Sequence, residues 1–283
     1  MAIVYEKLLN HAIPEVRQRL TKRDTILYAL SVGLGHDPLD LRQLDFVDHQ
    51  RELRALPSMA VVLCHPGFWL RDPATGVDAL RLVHGEQAIT LHTPLPVEAD
   101  LVGQTRVTGL FDKGVGKGAL LYSQKEVRDA ATGDLYATTR STTFLRGDGG
   151  FGGPAGPVQA PHPMPEGAPD LSLDLPTRPE QALYYRLNGD DNPLHSSPEV
   201  AAKAGFPRPI LHGLCTLGVT AHAILRALCG YEPARLRELD LRFSAPVFPG
   251  ETIRVELWRS GAFRARAVER DILVINNGRA VIA

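Results

Sequence analysis

Apolar and polar residues alternate along several separate stretches of the chain, and in one stretch apolar residues fall on every side. Period-2 alternation runs through Leu101–Phe111, Ala119–Arg128 and Leu135–Leu145. It returns at Leu239/Leu241/Phe243, Ile253/Val255/Leu257 and Phe263/Ala265/Ala267, followed by the apolar run Ile272–Ile275. Such alternation turns one face of an extended segment to a core and the other to water, so these stretches predict antiparallel strands. Asp112-Lys113-Gly114-Val115-Gly116-Lys117-Gly118, between two of them, has the composition of a hairpin turn. Gly213–Leu228 is different, because Leu214, Leu217, Val219, Ala223, Ile224 and Leu228 leave hardly any polar face, which predicts a helix buried on most sides. Shorter helices are expected near Thr25–Val32 and at Ser197-Pro198-Glu199, an N-cap, first-turn proline and first-turn acid closed by Gly205.

Glycine and proline cluster once, from Gly147 through Gly156-Pro157 and on to Pro176. Proline removes a backbone donor and glycine adds chain entropy, so this stretch is expected to hold neither a helix nor a central strand. It divides the chain into an N-terminal half (1–146), a linker (147–176) and a C-terminal half (177–283). The halves resemble each other. Thr93-Pro94-Leu95-Pro96 before Gly103-Gln104-Thr105 matches Ala245-Pro246-Val247-Phe248-Pro249 before Gly250-Glu251-Thr252. The pattern predicts an α+β fold built twice, each half an antiparallel sheet around one very apolar helix.

Composition narrows the function. The 283 residues carry 31 Lys+Arg against 32 Asp+Glu, so no basic field exists to hold a nucleic-acid backbone. No apolar run spans a bilayer, the start lacks a basic-then-apolar leader, and the end carries no peroxisomal or retention tripeptide. Cys64, Cys215 and Cys229 are an odd number without CxxC spacing, which argues against disulfides and for a reducing, cytoplasmic setting. The Gly114–Gly118 turn lacks the first glycine and the hydroxyl of a P-loop, and neither GxGxxG opening a helix nor GxSxG occurs. His195, His212 and His222 have no zinc-site spacing, so no metal is expected.

One constellation carries chemistry: Tyr185-Arg186-Leu187-Asn188-Gly189-Asp190-Asp191-Asn192-Pro193-Leu194-His195, then Pro209-Ile210-Leu211-His212-Gly213-Leu214-Cys215-Thr216. Asn-Gly and Asn-Pro force a tight turn, so Asp190 and His195 can fold toward each other, and a carboxylate with an imidazole can move a proton in either direction. Gly213 opens the buried helix, where free N–H groups and the positive dipole end can receive a carbonyl oxygen.

These strings closely resemble the signature of the type-2 enoyl-CoA hydratases, or MaoC-like dehydratases. The likeness extends over nearly the whole chain, through Tyr28–Gly33, Leu56–Val61, Leu82–Gln87, Asp112-Lys113-Gly114 and Gly149–Gly153. The resemblance implies two tandem hot-dog folds, each a sheet wrapped around a long buried helix, with no catalytic motif in the first half. It implies Asp190 and His195 as the catalytic pair, Asn192 holding them, and Gly213 N–H as the oxyanion donor. It further implies that His84, Gly85, Lys113 and Phe243 contact an acyl-CoA, and that no cofactor is needed. Asp191, Ser197 and Val47-Asp48 depart from the family pattern without removing a catalytic atom.

The expected reaction is reversible syn hydration of trans-2-enoyl-CoA to (3R)-3-hydroxyacyl-CoA. Alternatives within the fold are a short, branched, dicarboxylic or acyl-carrier-protein thioester, a silent acyl-CoA binder, or a thioesterase. A homodimer is the expected assembly.

Overall fold

The computed structural model describes residues 2–283. Five strands precede the Gly/Pro-rich stretch: β1 (Val16–Leu20), β2 (Leu82–Leu91), β3 (Ala99–Asp112), β4 (Ala119–Asp129) and β5 (Leu135–Leu145). Five follow: β6 (Leu171–Pro176), β7 (Leu236–Phe243), β8 (Thr252–Leu257), β9 (Ala262–Ala267) and β10 (Ile272–Ile282). All join one ten-stranded sheet in the order β1-β3-β4-β5-β2-β7-β10-β9-β8-β6. Counted from each outer edge, each set of five runs first, third, fourth, fifth, second, and the two second strands pair antiparallel at the centre. That arrangement is a pseudo-twofold repeat. The matching Pro–Gly segments of the sequence fall between the second and third strands of each set, where a repeat would put them.

The helices are α1 (Tyr5–Leu9), α2 (Lys22–Ser31), α3 (Leu41–Leu44), α4 (Gln181–Tyr185), α5 (Pro198–Lys203) and α6 (Gly213–Leu228). In α6 every residue from Cys215 to Leu225 is buried. It packs on β6, β7, β8 and β10 and also touches the Pro57–Val61 turn of the first set. Each Leu or Ile so enclosed contributes roughly 1.5–3 kcal/mol, and α6 brings several. One continuous apolar core therefore spans both halves, with α6 at its centre.

Two expectations need correction. Only the second half holds a long buried helix. Where α6 stands in the second half, the first half has the short 3-10 segment Pro57–Val61. Pro66 and Gly67 explain the truncation: proline cannot continue the helix and disfavours it one residue earlier, and Cys64 (φ 49°) and Gly67 (φ 72°) are already left-handed. Residues 171–176, read as the end of the linker, form the edge strand β6 on β8 instead. Leu171, Leu173 and Leu175 alternate, and Pro176 is tolerated because it is the last residue of an edge strand.

The pseudo-twofold brings equivalent residues face to face. Tyr28 of α2 and Tyr185 of α4 lie with ring centroids 6.2 Å apart, and Asn188 Nδ2 donates to Ser31 Oγ at 3.0 Å. The end of α2 thus anchors the turn that leads into Asp190.

Candidate active site

Gly189 (φ 110°) takes a left-handed conformation that reverses the chain after Arg186–Asn188. The next residues form a compact turn with Asn192 as its hub. Asn192 N–H donates to Asp190 Oδ1 at 3.3 Å, its side-chain Oδ1 accepts from Leu194 N–H at 3.1 Å, and its carbonyl accepts from His195 N–H at 3.1 Å. Pro193 supplies the first position of the short 3-10 turn that ends at His195. Asp190 and His195 are thereby held within one turn, both partly buried.

His195 Nδ1 lies 2.9 Å from the carbonyl oxygen of Ile210. A carbonyl only accepts, so the proton sits on Nδ1 and the neutral ring keeps its lone pair on Nε2. The ring stacks on His212, centroid to centroid 3.7 Å. His212 is 1 % exposed, its Nε2–H donates to the Asp190 carbonyl at 3.1 Å, and Nδ1 has no partner among the described residues. His84 packs its ring edge-on to Phe243 at 5.0 Å and donates from Nε2 to the Glu86 carbonyl.

Burial holds four imidazoles around Asp190 below the ordinary histidine range. His84 and His212 fall to about 4, and His65 and His195 move the same way, each drawn partly back by the Asp190 carboxylate. At neutral pH all four are uncharged. Donor atoms of Asp190, His195 and His212 lie within 4.8 Å of one another. The two rings are stacked, however, with planes only 26° apart, so their in-plane lone pairs do not converge at the roughly 2 Å ligand distance of a transition metal. The geometry suits proton transfer better than chelation.

Gly213 is the first residue of α6, and His212 before it gives no side-chain cap. Neither Gly213 N–H nor Leu214 N–H bonds another group among the described residues. A Cβ on Gly213 would sit 3.4 Å from Phe243 Cε1, so the free N–H groups open beside the Phe243 ring. Gly85 is the extra residue of a β-bulge in β2, where pairing with β5 shifts between His84 and Glu86, and this break aims His84 at Phe243.

The fold therefore gathers Asp190, Asn192, His195, Gly213, Phe243 and His84, with Gly85 as the bend that aims His84. Lys113 is exposed at the β3–β4 turn and takes part in none of these contacts. His212 and His65 were missed by sequence reasoning. His212 lay inside the singled-out string, but nothing in its spacing distinguished a stacked, buried imidazole from a helix cap.

A family model described as a MaoC like domain matches residues 161–277, and another, the MFE-2 hydratase 2 N-terminal domain, matches residues 19–147. The chain is 44% identical to 3-hydroxyacyl-thioester dehydratase Y of Mycobacterium tuberculosis over 87% of this chain and 84% of that protein. The chain belongs to the MaoC-like dehydratase family. It is also 38% identical to the peroxisomal enoyl-CoA hydratase 2 of Arabidopsis thaliana, over 95% of this chain and 92% of that one. The crystal structure of a MaoC-like dehydratase from Phytophthora capsici shares 33% identity over 98% of both chains, with a TM-score of 0.85. A Mycobacterium tuberculosis protein with a double hotdog fold, 16% identical with a TM-score of 0.55, shares the fold alone. The two five-strand sets are the two hot-dog units of this family. Both family names denote addition or removal of water, and the chain is a hydro-lyase. Among the described residues, no helix is long and apolar enough to cross a membrane.

Proposed function

We propose that this enzyme reversibly adds water across the double bond of a trans-2-enoyl-CoA to give a (3R)-3-hydroxyacyl-CoA. The acyl-thioester class is supported by the names of the relatives, a 3-hydroxyacyl-thioester dehydratase and an enoyl-CoA hydratase 2. The observation that carries the reading is His195: its Nδ1 is committed to the Ile210 carbonyl, which leaves a neutral Nε2 beside the Asp190 turn. Asp190 and His195 orient a water and remove its proton as oxygen bonds to C3. The π electrons shift toward the thioester, forming an enolate whose oxygen accepts from Gly213 N–H. The pair then delivers a proton to C2, so the net change is one water added, with no oxidant or reductant. A preorganised oxyanion donor is worth about 3 kcal/mol in such a step.

Phe243 and His84 wall the site at the β2–β7 seam. Lys113, exposed and without an acidic partner among the described residues, supplies a cation for the CoA phosphates. A cytoplasmic homodimer completes the proposal, to be checked by sizing chromatography and cell fractionation.

The deciding experiment offers crotonyl-CoA and a longer trans-2-enoyl-CoA to the purified enzyme, follows loss of the conjugated thioester absorbance, and resolves the product on a chiral column. A (3R) alcohol is expected. Release of free CoA would indicate hydrolysis, and loss of absorbance with an (S) product would overturn the stereochemical assignment.

A further inference from the structure

On β4, alternation puts Ala119, Leu121, Lys125 and Val127 on the buried face, so a lysine occupies a core position. Lys125 is 6 % exposed, flanked across the sheet by buried Thr105 and Thr139, and pairs with no carboxylate. Its ammonium instead donates to the carbonyl of Val61 at 3.0 Å and to that of Leu63. The first is the last carbonyl of the Pro57–Val61 segment and the second lies two residues beyond it, just before the chain turns left-handed at Cys64. In the second half, where a full helix covers the sheet, β9 presents Phe263, Ala265 and Ala267 to the core instead. The lysine stands where the helix is missing.

The anchored segment shares a cavity with the residues that lead into the candidate active site. Met59, Val62 and Leu63 line a cavity of about 220 Å³ together with Tyr28 of α2 and with Leu187, Asn188 and Gly189, directly before Asp190. Two residues beyond Leu63, the His65 imidazole feels the charges of both Lys125 and Asp190. Burial pushes the lysine down to about 8, so it remains largely protonated at neutral pH.

We propose that Lys125 is a positioning residue for the Asp190 turn: it pins the Val61–Cys64 end of the truncated helix, which in turn buttresses Leu187–Gly189 across their shared cavity. The anchoring follows from the contacts alone, while its effect on turnover rests on the proposed function.

The test compares wild type, Lys125→Met and Lys125→Arg by amide hydrogen exchange and by steady-state kinetics with crotonyl-CoA. In Lys125→Met the amides of Val62, Leu63 and Cys64 should exchange at least ~10-fold faster, and those of Asn188 and Gly189 ~2–5-fold faster although Lys125 touches neither. Expected with this is a ~5–50-fold fall in kcat, KM within about threefold, and partial recovery in Lys125→Arg. Unchanged exchange at Asn188 and Gly189 would overturn the proposal, as would faster exchange with kcat intact. Should Lys125→Met fail to fold, Lys125→Arg against wild type gives the same two readouts, in the same direction and smaller. If wild type hydrates no enoyl-CoA, the proposed function fails, while the exchange data still decide the buttressing.

Discussion

His195 and His212 stack face to face, with ring centroids 3.7 Å apart and planes 26° from parallel. Two positive imidazolium rings at that separation repel strongly, and burial already disfavours charge on either, so in the proposed mechanism a proton taken up by His195 is balanced by Asp190. His212 also ties its own Nε2–H to the Asp190 carbonyl, which makes it a brace for both ends of the Asp190–His195 turn. His212→Phe keeps the stack and deletes that donor. We expect a ~10-fold lower kcat, the value of one buried hydrogen bond, with little change in KM. An unchanged kcat would reduce His212 to a packing residue.

Asp190→Asn and His195→Gln should each lower turnover by ~10²–10⁴-fold, because either change removes one partner of the proposed proton transfer. The fold should survive, since both residues are partly exposed and the Asn192 hub of the turn is untouched. Wild-type-like turnover in either variant, with a native circular dichroism spectrum, would remove that residue from the mechanism.

Gly213 allows the oxyanion role to be tested by a single atom group. Pro is well tolerated at the first helical position, and His212 before it already has φ -57° and ψ 136°, the conformation a following proline requires. Gly213→Pro therefore deletes the N–H, whereas Gly213→Ala keeps it and adds only a Cβ 3.4 Å from Phe243. The proline variant should lose ~10²–10³ in kcat and the alanine variant far less. Equal losses in both would indicate crowding at Phe243 instead of a lost donor.

Acid should destabilise the protein through its buried histidines. His84, His212 and His222 are held down to about 4 in the folded chain, chiefly by burial, against an ordinary value of 6.5. Above 6.5 neither folded nor unfolded chains carry these protons, and the stability is fully present. As pH falls from 6.5 toward 4, only the unfolded chain takes them up, so stability declines across that window and this contribution levels off below it. Each pKa unit corresponds to about 1.4 kcal/mol, so a combined loss of several kcal/mol is expected. Urea midpoints at pH 7.5, 6 and 4.5 provide the check. A flat series would mean that these rings are hydrated enough to titrate normally.

Gly218 marks the closest approach of α6 to the end of α2. A Cβ there would lie 2.4 Å from Val32 Cγ1 and 3.1 Å from the Tyr28 hydroxyl, and both neighbours are fully enclosed. Alanine is the better helix former, by about 1 kcal/mol, but overpacking of this kind costs ~1–3 kcal/mol and should prevail. Thermal denaturation of Gly218→Ala is expected to show a lower midpoint. A higher one would mean that α2 can retreat from α6.

What sequence made legible is local. The run Gly213–Leu228, apolar on nearly every side, became α6 over those same residues, because a helix with hardly any polar face has nowhere to go except a core. Ser197 caps α5 through Val200 N–H as its Ser-Pro-Glu signature implied, and alternation located β3, β4, β5, β7, β8 and β9. The turn at Asp190 was readable too, since Asn-Gly and Asn-Pro act on adjacent backbone. Lys125, a charge in phase with Ala119, Leu121 and Val127, went unremarked in the Ala119–Arg128 alternation, because its partners lie more than sixty residues away.

Tertiary structure decided everything that depends on distant residues. No pattern in Leu82–Leu91 or Leu236–Phe243 specifies that β2 and β7 pair, yet that seam places His84 of one half against Phe243 of the other. The repeat predicted two long helices, but a single Pro66-Gly67 left the first as one turn, and the carbonyls so freed found Lys125 across the core. The stack of His195 on His212, the neutrality of four imidazoles around Asp190 and the exclusion of Lys113 from their cluster follow from burial and chain crossing. Local propensity acts over a few residues, whereas desolvation and contact are set by which surfaces the whole core brings together.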